Sequence, residues 1–513
     1  MRLLVYSEVG AAQIASSLGL PDYSYYFVLK EFLPVLQELG EVIVVERPLS
    51  EVDPLYDEAC AHNEICLFLS FTPPHKTPAG LRCPTIPVFA WEFDSIPNQS
   101  WLDDERQNWA TVIAECGQAI THSQLTVQAA RAELGEDFPV VSIPAPVWDR
   151  YADIRDAAQA QHMESRIHVR SGVLMDSHDL SLTPYIPNVD AVARAVASVR
   201  DRERAARPQE APVPSVVPLA APQSRVRITM RYLVEWYRLV FLDLLRPSRG
   251  VPAVRVEPEK VEVPLEPTNP VEPGGLPEVP GEVAEMPVWS PAEYSLQLSG
   301  VVFTAVFNPY DGRKNWVDML TAFCSAFRDT PDATLLFKLG HRDYQSAMND
   351  MLMCMARMPA FRCRVVLLHG FLDRADYDQL VRSTAFVINA SHGEGQCLPL
   401  MEFLSCGKPA VAPQHSAMAD YIDDQVAFVV DTWLDATAWP HDPRLAYRTL
   451  RHQIDWSSLV KAYRDAYRCY IDTPERYQRM AATAIERMHA HCSRTTAKER
   501  LLAFFNSRAE ACA

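Results

Sequence analysis

The chain has 513 residues, of which 48% are hydrophobic, and a formal net charge of −17 at neutral pH. A chain of this length predicts two or three domains with substantial apolar cores. The acidic charge balance argues against a nucleic-acid-binding protein, because phosphate backbones are bound through basic patches.

The cysteines and the N-terminus together indicate a cytoplasmic protein. The twelve cysteines are scattered, without a Cys-x-x-Cys pair or a Cys/His cluster, so we expect buried thiols in a reducing compartment and no metal site. The first apolar run, Leu3–Tyr6, is too short for a secretory signal peptide. No charge-free apolar stretch reaches the length of a membrane-spanning helix.

Residues 1–150 alternate between short apolar runs and helix-like segments. The apolar runs are Leu3–Tyr6, Val42–Val45, Ile65–Phe71, Ile86–Phe89, Ala119–Thr121 and Val140–Ile143. Strands that alternate with helices predict a mostly parallel sheet, with ligand sites at the carboxyl ends of the strands. We therefore expect a first Rossmann-like domain over residues 1–150.

Residues 151–295 break this pattern. Positions 205–223 and 247–291 are rich in proline, a composition that predicts a largely disordered insertion. Between these stretches, residues 224–246 combine arginines with aromatic and aliphatic side chains in an amphipathic helical pattern. Such a helix suits the surface of an anionic membrane. The alternative is that it docks on a domain of this chain or on another protein.

The alternation of strands and helices resumes over residues 296–455 and predicts a second Rossmann-like domain. Its apolar runs are Val301–Pro309, Thr334–Leu339, Val365–Leu368, Phe386–Ile388 and Pro409–Ala412. Residues 456–513 carry apolar side chains at helical spacing and predict terminal helices.

Residues 390–413 are the most informative segment, because a strand, a glycine-bearing loop, a helix and another strand follow in that order. Gly395 lets the loop backbone come close to a ligand, and the helix begins near Pro399. A helix N-terminus that opens from such a loop suits a phosphate. Glu394 and Glu402 enclose seven residues, so both carboxylates can line one pocket.

A basic pair follows the strand-like run Val301–Pro309. Arg313 and Lys314 stand just before an amphipathic helix that runs through Phe327. Arginine offers a bidentate fork and lysine a point charge, and both suit a diphosphate at the end of a parallel strand.

The two segments together resemble the nucleotide-sugar site of retaining GT-B glycosyltransferases of family 4. The resemblance covers residues 300–430 and, more weakly, 1–150. It implies a GT-B fold, in which two Rossmann-like α/β domains of parallel sheet face a cleft, here with a proline-rich segment inserted between them. Family members usually carry a glycine where this chain has Cys397.

The resemblance implies a role for each residue of the motifs. The carboxylate of Glu394 would lie at the donor sugar, and that of Glu402 would bind the ribose hydroxyls. Arg313 and Lys314 would hold the diphosphate of the donor. The remaining donor-binding candidates are Gly395, the backbone N–H groups of Cys397 and Leu398, and Gly10 in the first loop of the N-terminal domain.

The acceptor side carries fewer signals. Residues 88–97 resemble a motif in the N-terminal domains of some bacterial family members and contain Glu92. His75 follows a strand and could face the cleft, and His122 is a second strand-end histidine, although such residues are more often structural. Glu92 and His75 thus join Glu394 as the candidate catalytic residues.

The expected activity is transfer of a hexose from a nucleotide diphosphate sugar, with retention of configuration. No cofactor and no metal ion are expected, because Arg313, Lys314 and the helix N-terminus offset the charge of the leaving diphosphate. The expected acceptor is a bacterial surface glycan or its polyprenyl-linked precursor. Residues 224–246 would contact the inner face of the membrane peripherally, and the last helix would cross back to the first domain.

Two other interpretations stay open. A catalytically silent GT-B scaffold or nucleotide-sugar binding protein would account for Cys397 and for the long insertion. A sugar-nucleotide epimerase or a phosphorylase could be built on the same fold. A thiol mechanism through Cys397 and His392 is disfavoured, since retaining GT-B enzymes are not thought to need an enzyme nucleophile there.

Overall fold

A computed structural model describes residues 1–9, 23–157, 166–186 and 289–512, together with positions 193, 197 and 200. Residues 1–186 and 286–513 form one compact unit. Three sequence-based expectations lie outside the described residues, namely the placement of Gly10 in the cleft, the amphipathic helix 224–246 and the expected disorder of the proline-rich stretches on either side of that helix.

The first domain is built on a six-stranded sheet, in which every strand pairs in parallel with its neighbours. The strands, in the spatial order β2-β1-β3-β4-β5-β6, are β1 Arg2–Ser7, β2 Glu41–Val44, β3 Cys66–Phe71, β4 Thr85–Phe89, β5 Ala119–Thr121 and β6 Val140–Ser142. The helices are α1 Tyr23–Leu39, α2 Pro48–Ala61, α3 Trp109–Cys116, α4 Gln124–Leu134 and α5 Ala152–Ala157. Consecutive residues of β1, from Leu3 to Val5, are fully buried, as expected for a strand covered on both faces.

The second domain is built on an eight-stranded sheet with the spatial order β14-β13-β12-β9-β10-β11-β7-β8. Its strands are β7 Arg166–Asp176, β8 Ala292–Gln297, β9 Val301–Phe307, β10 Ala333–Leu339, β11 Arg364–Gly370, β12 Phe386–Ile388, β13 Ala410–Pro413 and β14 Ala427–Val430. The helices that follow the parallel strands are α6 Trp316–Ala326, α7 Gln345–Arg357, α8 Arg374–Ser383 and α9 Leu398–Ser405. The predicted fold class, two α/β domains with parallel sheets, is confirmed.

Strand β9 marks the point where the strand order reverses, since β10 pairs on one side of it and β12 on the other. The connections from β9 and β12 therefore leave the sheet in opposite directions, and a crevice opens at the carboxyl ends of these strands. The predicted motif residues lie in the loops that follow β9 and β12.

Part of the segment that the sequence assigns to the insertion belongs to this second sheet. Strand β7 pairs antiparallel with β11 and β8. Its first residues alternate between buried Ile167 and Val169 and exposed His168 and Arg170, which is the period of a strand with one face buried. This short alternation of apolar and polar residues was missed from the sequence, because proline-rich segments follow it in the chain.

A hairpin and three helices complete the chain. The hairpin pairs β15 Thr432–Ala438 with β16 Tyr447–Ile454. The helices are α10 Trp456–Asp472, α11 Pro474–Cys492 and α12 Arg494–Cys512. Helix α12 lies against the first domain, where the Nζ atom of Lys498 is 2.8 Å from a carboxylate oxygen of Glu38. Within the described residues, no helix combines the length and the apolar character needed to cross a membrane.

Candidate functional site

The loops after β9 and β12 meet at one edge of the second sheet, because the carboxyl ends of neighbouring parallel strands lie side by side. Lys314 follows β9 and Glu394 follows β12. The Nζ atom of Lys314 lies 2.7 and 2.9 Å from the two carboxylate oxygens of Glu394. The structure therefore brings together two residues that are eighty positions apart in the chain.

The carboxylate of Glu394 is buried and fully engaged. The residue is 3% exposed, and its Oε1 atom accepts hydrogen bonds from Asn389 Nδ2 at 3.0 Å and from Ser391 Oγ at 2.6 Å. Burial raises the pKa of this carboxyl, but the charges of Lys314 and Arg313 and the hydrogen bonds from Lys314 and Ser391 together outweigh it, and the net shift is downward. Burial likewise lowers the pKa of Lys314, but Glu394 and the other nearby acidic groups together raise it above its ordinary value. The pair is therefore ionised at neutral pH.

The backbone of the Glu394 loop is held from two sides. The N–H group of Glu394 donates to Ser416 Oγ at 2.9 Å, and its carbonyl accepts from the N–H group of Ala417 at 3.1 Å. On the other side, a Cβ atom placed on Gly395 would lie 2.9 Å from the Cβ atom of Ala90 and 3.0 Å from the nitrogen of Trp91. Glycine at this position thus lets the loop pack directly on the first domain.

Cys397 precedes helix α9 in a left-handed conformation, with φ 64° and ψ 68°. A glycine adopts this conformation without strain, which is the physical reason why a glycine suits the position. The Sγ atom lies 3.1 Å from the Nδ2 atom of Asn389. Burial, with the nearby charge of Glu394, raises the pKa of the thiol to about 12. The thiol therefore stays protonated and is a poor nucleophile.

Helix α9 begins at Leu398 with a proline in its first turn. The first N–H groups of a helix have no partner within the helix, and the positive end of its dipole lies there. The start of α9 thus presents hydrogen-bond donors beside the Lys314–Glu394 pair, as the sequence suggested for Cys397 and Leu398.

Arg313 reaches across the cleft between two carboxylates. Its Nη1 atom lies 2.5 Å from Glu92 Oε1 in the first domain, and its Nη2 atom lies 2.7 Å from Asp311 Oδ2. Burial raises the pKa of both carboxyls. Arg313 overcomes this effect for Asp311, whose pKa is lowered, whereas the pKa of Glu92 stays raised. Glu92, chosen from its sequence motif, is thus in direct contact with a donor-site candidate.

Glu402 lies in a separate polar cluster. The hydroxyl of Tyr377 donates to its Oε2 atom at 2.7 Å, and Arg150 Nη1 lies 3.6 Å from its Oε1 atom. Arg150 also bonds the carboxylate of Glu31 on α1 at 2.9 Å. Burial raises the pKa of Glu402. The contacts of Glu402 are thus with side chains that link the two domains, and none of its described contacts is with Glu394.

His75 packs away from these charges. The Nε1–H group of Trp109 donates to His75 Nδ1 at 3.1 Å, and the two rings stack with centroids 5.7 Å apart. Burial, followed by the neighbouring His441, lowers the pKa of His75 to about 4. His75 is therefore a neutral hydrogen-bond acceptor, and its described contacts do not join it to the Lys314–Glu394 pair.

The β15–β16 hairpin connects the two halves of the site. Asp94 Oδ1 accepts hydrogen bonds from Thr449 Oγ1 at 2.7 Å and from the N–H group of Leu450 at 3.0 Å. Two residues further along β16, the N–H group of His452 donates to the carbonyl of His392 at 3.0 Å. A single strand thus contacts both the Glu92 segment of the first domain and the Glu394 loop of the second.

Sequence reasoning did not find several of the residues that hold the site. They are Asn389, Ser391 and Ser416, which fix Glu394, and Asp311, which fixes Arg313. Each follows a strand of the parallel sheet, so the rule that ligand sites lie at carboxyl ends could have identified them. Among the described residues, no group of three or more His, Cys, Asp or Glu side chains is placed to hold a metal ion.

Residues 300–439 match the family described as "Glycosyl transferases group 1". This matched segment of the second α/β domain is a glycosyltransferase group 1 domain. The matched segment includes Arg313, Lys314 and the whole Glu394 loop, and it ends just after β15. No curated protein sequence matches the chain significantly.

Solved structures of similar architecture include the Anabaena protein HepE in complex with UDP and glucose. It is 12% identical, the match covers 99% of this chain and 100% of HepE, and the TM-score is 0.44. A glycosyltransferase from Rickettsia africae is 8% identical over 99% of this chain and 98% of its own, with a TM-score of 0.48. Sucrose-phosphate synthase from Thermosynechococcus elongatus is 10% identical over 99% of both chains, with a TM-score of 0.44. At these identities and TM-scores the similarity says nothing about the chemistry of this chain.

Proposed function

We propose that this protein transfers a hexose from a nucleotide diphosphate sugar to a glycan or polyprenyl-linked acceptor, with retention of configuration. The observation that carries the proposal is the buried Lys314–Glu394 pair, which lies at the carboxyl edge of the second sheet inside a glycosyltransferase group 1 segment. Arg313 stands beside this pair and contacts the first domain.

The charges of the site suit the two ends of a sugar diphosphate. Arg313, Lys314 and the start of α9 offer positive charge and N–H donors to the diphosphate. The ionised Glu394 accepts hydrogen bonds, so it can bind hydroxyl groups of the transferred sugar. Contacts that strengthen as charge develops on the leaving diphosphate accelerate the transfer itself.

In the proposed reaction, the oxygen of the acceptor hydroxyl forms a bond to the anomeric carbon on the face from which the diphosphate leaves. The bond between that carbon and the phosphate oxygen breaks, its electron pair goes to the phosphate, and the phosphate takes the proton of the acceptor hydroxyl. No nucleophile of the protein is needed, which fits a Cys397 thiol held in its protonated form. The retaining course rests on the family resemblance of the sequence motifs.

The acceptor would enter beside Glu92, which faces the cleft from the first domain. The raised pKa of this carboxyl follows from its burial, and Arg313 partly compensates it. Glu92 can therefore accept a hydrogen bond from an acceptor hydroxyl and also keep Arg313 in place. Membrane contact through 224–246 rests on sequence composition alone.

The first test is thermal unfolding of the purified protein with UDP, GDP and ADP. A nucleotide at about a hundred times its Kd should stabilise the protein by about 2.7 kcal/mol. Lys314→Met should abolish this stabilisation, because it removes a charge next to the diphosphate. Lys461→Met is the matched control, since Lys461 forms an exposed ion pair with Asp465 on α10.

Product analysis with the donor that the stabilising nucleotide indicates separates the alternatives. Sugar transfer that requires an acceptor supports the proposal. Conversion of the donor without an acceptor identifies an epimerase, and dependence on inorganic phosphate identifies a phosphorylase. A folded protein that binds a nucleotide but yields no product is a nucleotide-sugar binding protein, and one that binds no nucleotide is a silent scaffold.

A further inference from the structure

The two cations of the proposed donor site are already paired with carboxylates. Lys314 contacts both oxygens of Glu394, and Arg313 lies between Glu92 and Asp311. Two positive side chains thus face three carboxylates. The diphosphate of a nucleotide sugar is itself a dianion, so it would enter a site whose cations already form ion pairs with carboxylates. A further positive charge at this edge of the sheet would resolve the imbalance.

Lys338 has the properties of such a charge. The residue is 7% exposed and lies on β10, which pairs directly with β9. Within the part of the chain that the structure describes, its Nζ atom donates one hydrogen bond, to the carbonyl of Leu339 at 3.1 Å. An ammonium group has three donors, so two remain for a ligand. Among the described residues, no carboxylate forms an ion pair with Lys338.

The position of Lys338 places its ammonium group at the carboxyl edge of the second sheet. Leu339 is the last residue of β10, so a bond to its carbonyl puts the Nζ atom at the carboxyl end of the strand. The next strand, β9, leads at that same end to Arg313 and Lys314. In the sheet, Lys338 lies between Val306 on β9 and Leu368 on β11, so apolar neighbours flank it within the sheet.

A buried ammonium group without a counterion is costly for the folded protein. Burial lowers the pKa of Lys338 to about 8. Lys338 therefore carries its positive charge in most molecules near neutral pH. An apolar side chain of similar length would fill the same space at a lower cost in free energy. Such a cost is expected at functional sites, where a ligand supplies the missing charge.

We propose that Lys338 binds the diphosphate of the nucleotide donor and supplies the positive charge that Arg313 and Lys314 share with carboxylates. This inference rests on the proposed function, because it names a further residue of the same donor site. The competing explanation is that Lys338 merely packs its aliphatic stem in the core.

Lys408 provides a matched control. It is also partly buried, burial lowers its pKa to about 8, and its Nζ atom donates to one carbonyl, that of Arg382, at 3.1 Å. It precedes β13, however, and so lies at the amino end of its strand. The two lysines thus have similar environments at opposite edges of the sheet.

The experiment compares Lys338→Met and Lys408→Met with the wild type. Thermal unfolding of the free proteins is followed by calorimetric titration with the stabilising nucleotide and with inorganic pyrophosphate. Both variants should be at least as stable as the wild type, because each loses a buried charge. Lys338→Met should weaken binding of the nucleotide and of pyrophosphate by about tenfold or more, the value of a hydrogen bond to a charged group. Lys408→Met should leave both affinities within about twofold of the wild type.

Unchanged nucleotide and pyrophosphate affinities in a folded Lys338→Met protein would overturn the proposal, and so would an equal loss in both variants. If Lys338→Met does not fold, Lys338→Gln takes its place in the same comparison. A wild type that binds pyrophosphate but no nucleotide would refute the proposed function, and a loss of pyrophosphate binding in Lys338→Met would still support an anion site. A wild type that binds neither probe refutes both.

Discussion

Arg313 of the second domain and Glu92 of the first form an ion pair across the cleft, with 2.5 Å between Nη1 and Oε1. The ion pair thus joins two chain segments that are more than two hundred positions apart in the sequence. The same guanidinium is the candidate for the diphosphate of the donor. Contact between the two domains and charge at the proposed donor site are therefore linked through one side chain.

Glu92→Gln should separate these two effects. The amide keeps the shape of the side chain but removes the negative charge that competes for Arg313, so nucleotide affinity should rise about threefold to tenfold, the effect of a partly screened charge. Transfer to the acceptor should slow, because the acceptor-side carboxylate is lost. Titration calorimetry and kcat measure the two effects. Glu8→Gln, which alters the exposed Glu8–Lys76 pair, is the control. Unchanged nucleotide affinity and kcat would contradict the role of the ion pair.

Gly395→Ala tests the close approach of the Glu394 loop to the first domain. The added methyl group would meet Ala90 and Trp91 at 2.9 and 3.0 Å, so the loop must move away. We expect a loss of about 1–3 kcal/mol in stability and a strong decrease in kcat. Gly312→Ala is the control, because a Cβ atom there has no neighbour within 4 Å among the residues described. Equal activities of the two variants would show that the cleft need not close this tightly.

Cys397→Gly tests whether the thiol takes part in chemistry. Glycine relieves the left-handed strain, worth about 1 kcal/mol, and should raise the free energy of unfolding slightly while activity is kept. Cys397→Ala keeps the strain and removes the sulfur, so it should be active and no more stable than the wild type. Denaturant unfolding and transfer assays on both variants give the answer. Inactivity of both would restore a thiol mechanism.

Thr449→Val tests the hairpin contact with Asp94. The valine has the shape of threonine but cannot donate to the carboxylate. The lost hydrogen bond weakens the interaction between the hairpin and the first domain by about 1 kcal/mol. Because β16 also bonds His392, we expect the KM for the acceptor to rise while nucleotide affinity is unchanged. Thr449→Ser should restore the KM. Thr437→Val, at the cross-strand position, is the control. A KM that stays at the wild-type value would exclude this role.

Buried histidines predict that stability falls on acidification. Burial lowers the pKa of His122 to about 4, whereas the unfolded chain has the ordinary value near 6.5. Between these values the unfolded state binds the additional proton, so the contribution of His122 is complete above about pH 6.5 and declines by about 1.4 kcal/mol per pH unit below it. His122→Asn, whose amide can still donate to Ile143, should reduce the slope of unfolding free energy against pH. Exposed His62→Asn is the control, and equal slopes would refute the assignment.

Much of the fold could be read from local patterns. Apolar runs such as Leu3–Tyr6 and Phe386–Ile388 lie within or match observed strands, and the helix expected near Pro399 begins at Leu398. These signals are local because burial on a sheet and the stop signals of a helix depend on neighbouring residues. Strand β7 escaped this reasoning, since its short alternation borders a long proline-rich stretch.

The sequence by itself determined most of the strands and helices and several residues at the strand ends, including Arg313, Lys314 and Glu394. Only the tertiary structure decided their partners. It paired Arg313 with Glu92, placed Glu402 beside Tyr377, set His75 against Trp109 and buried Lys338 at the carboxyl end of β10. The physical reason is that contacts between distant segments depend on how whole domains pack, and a local pattern of residues carries no information about that packing.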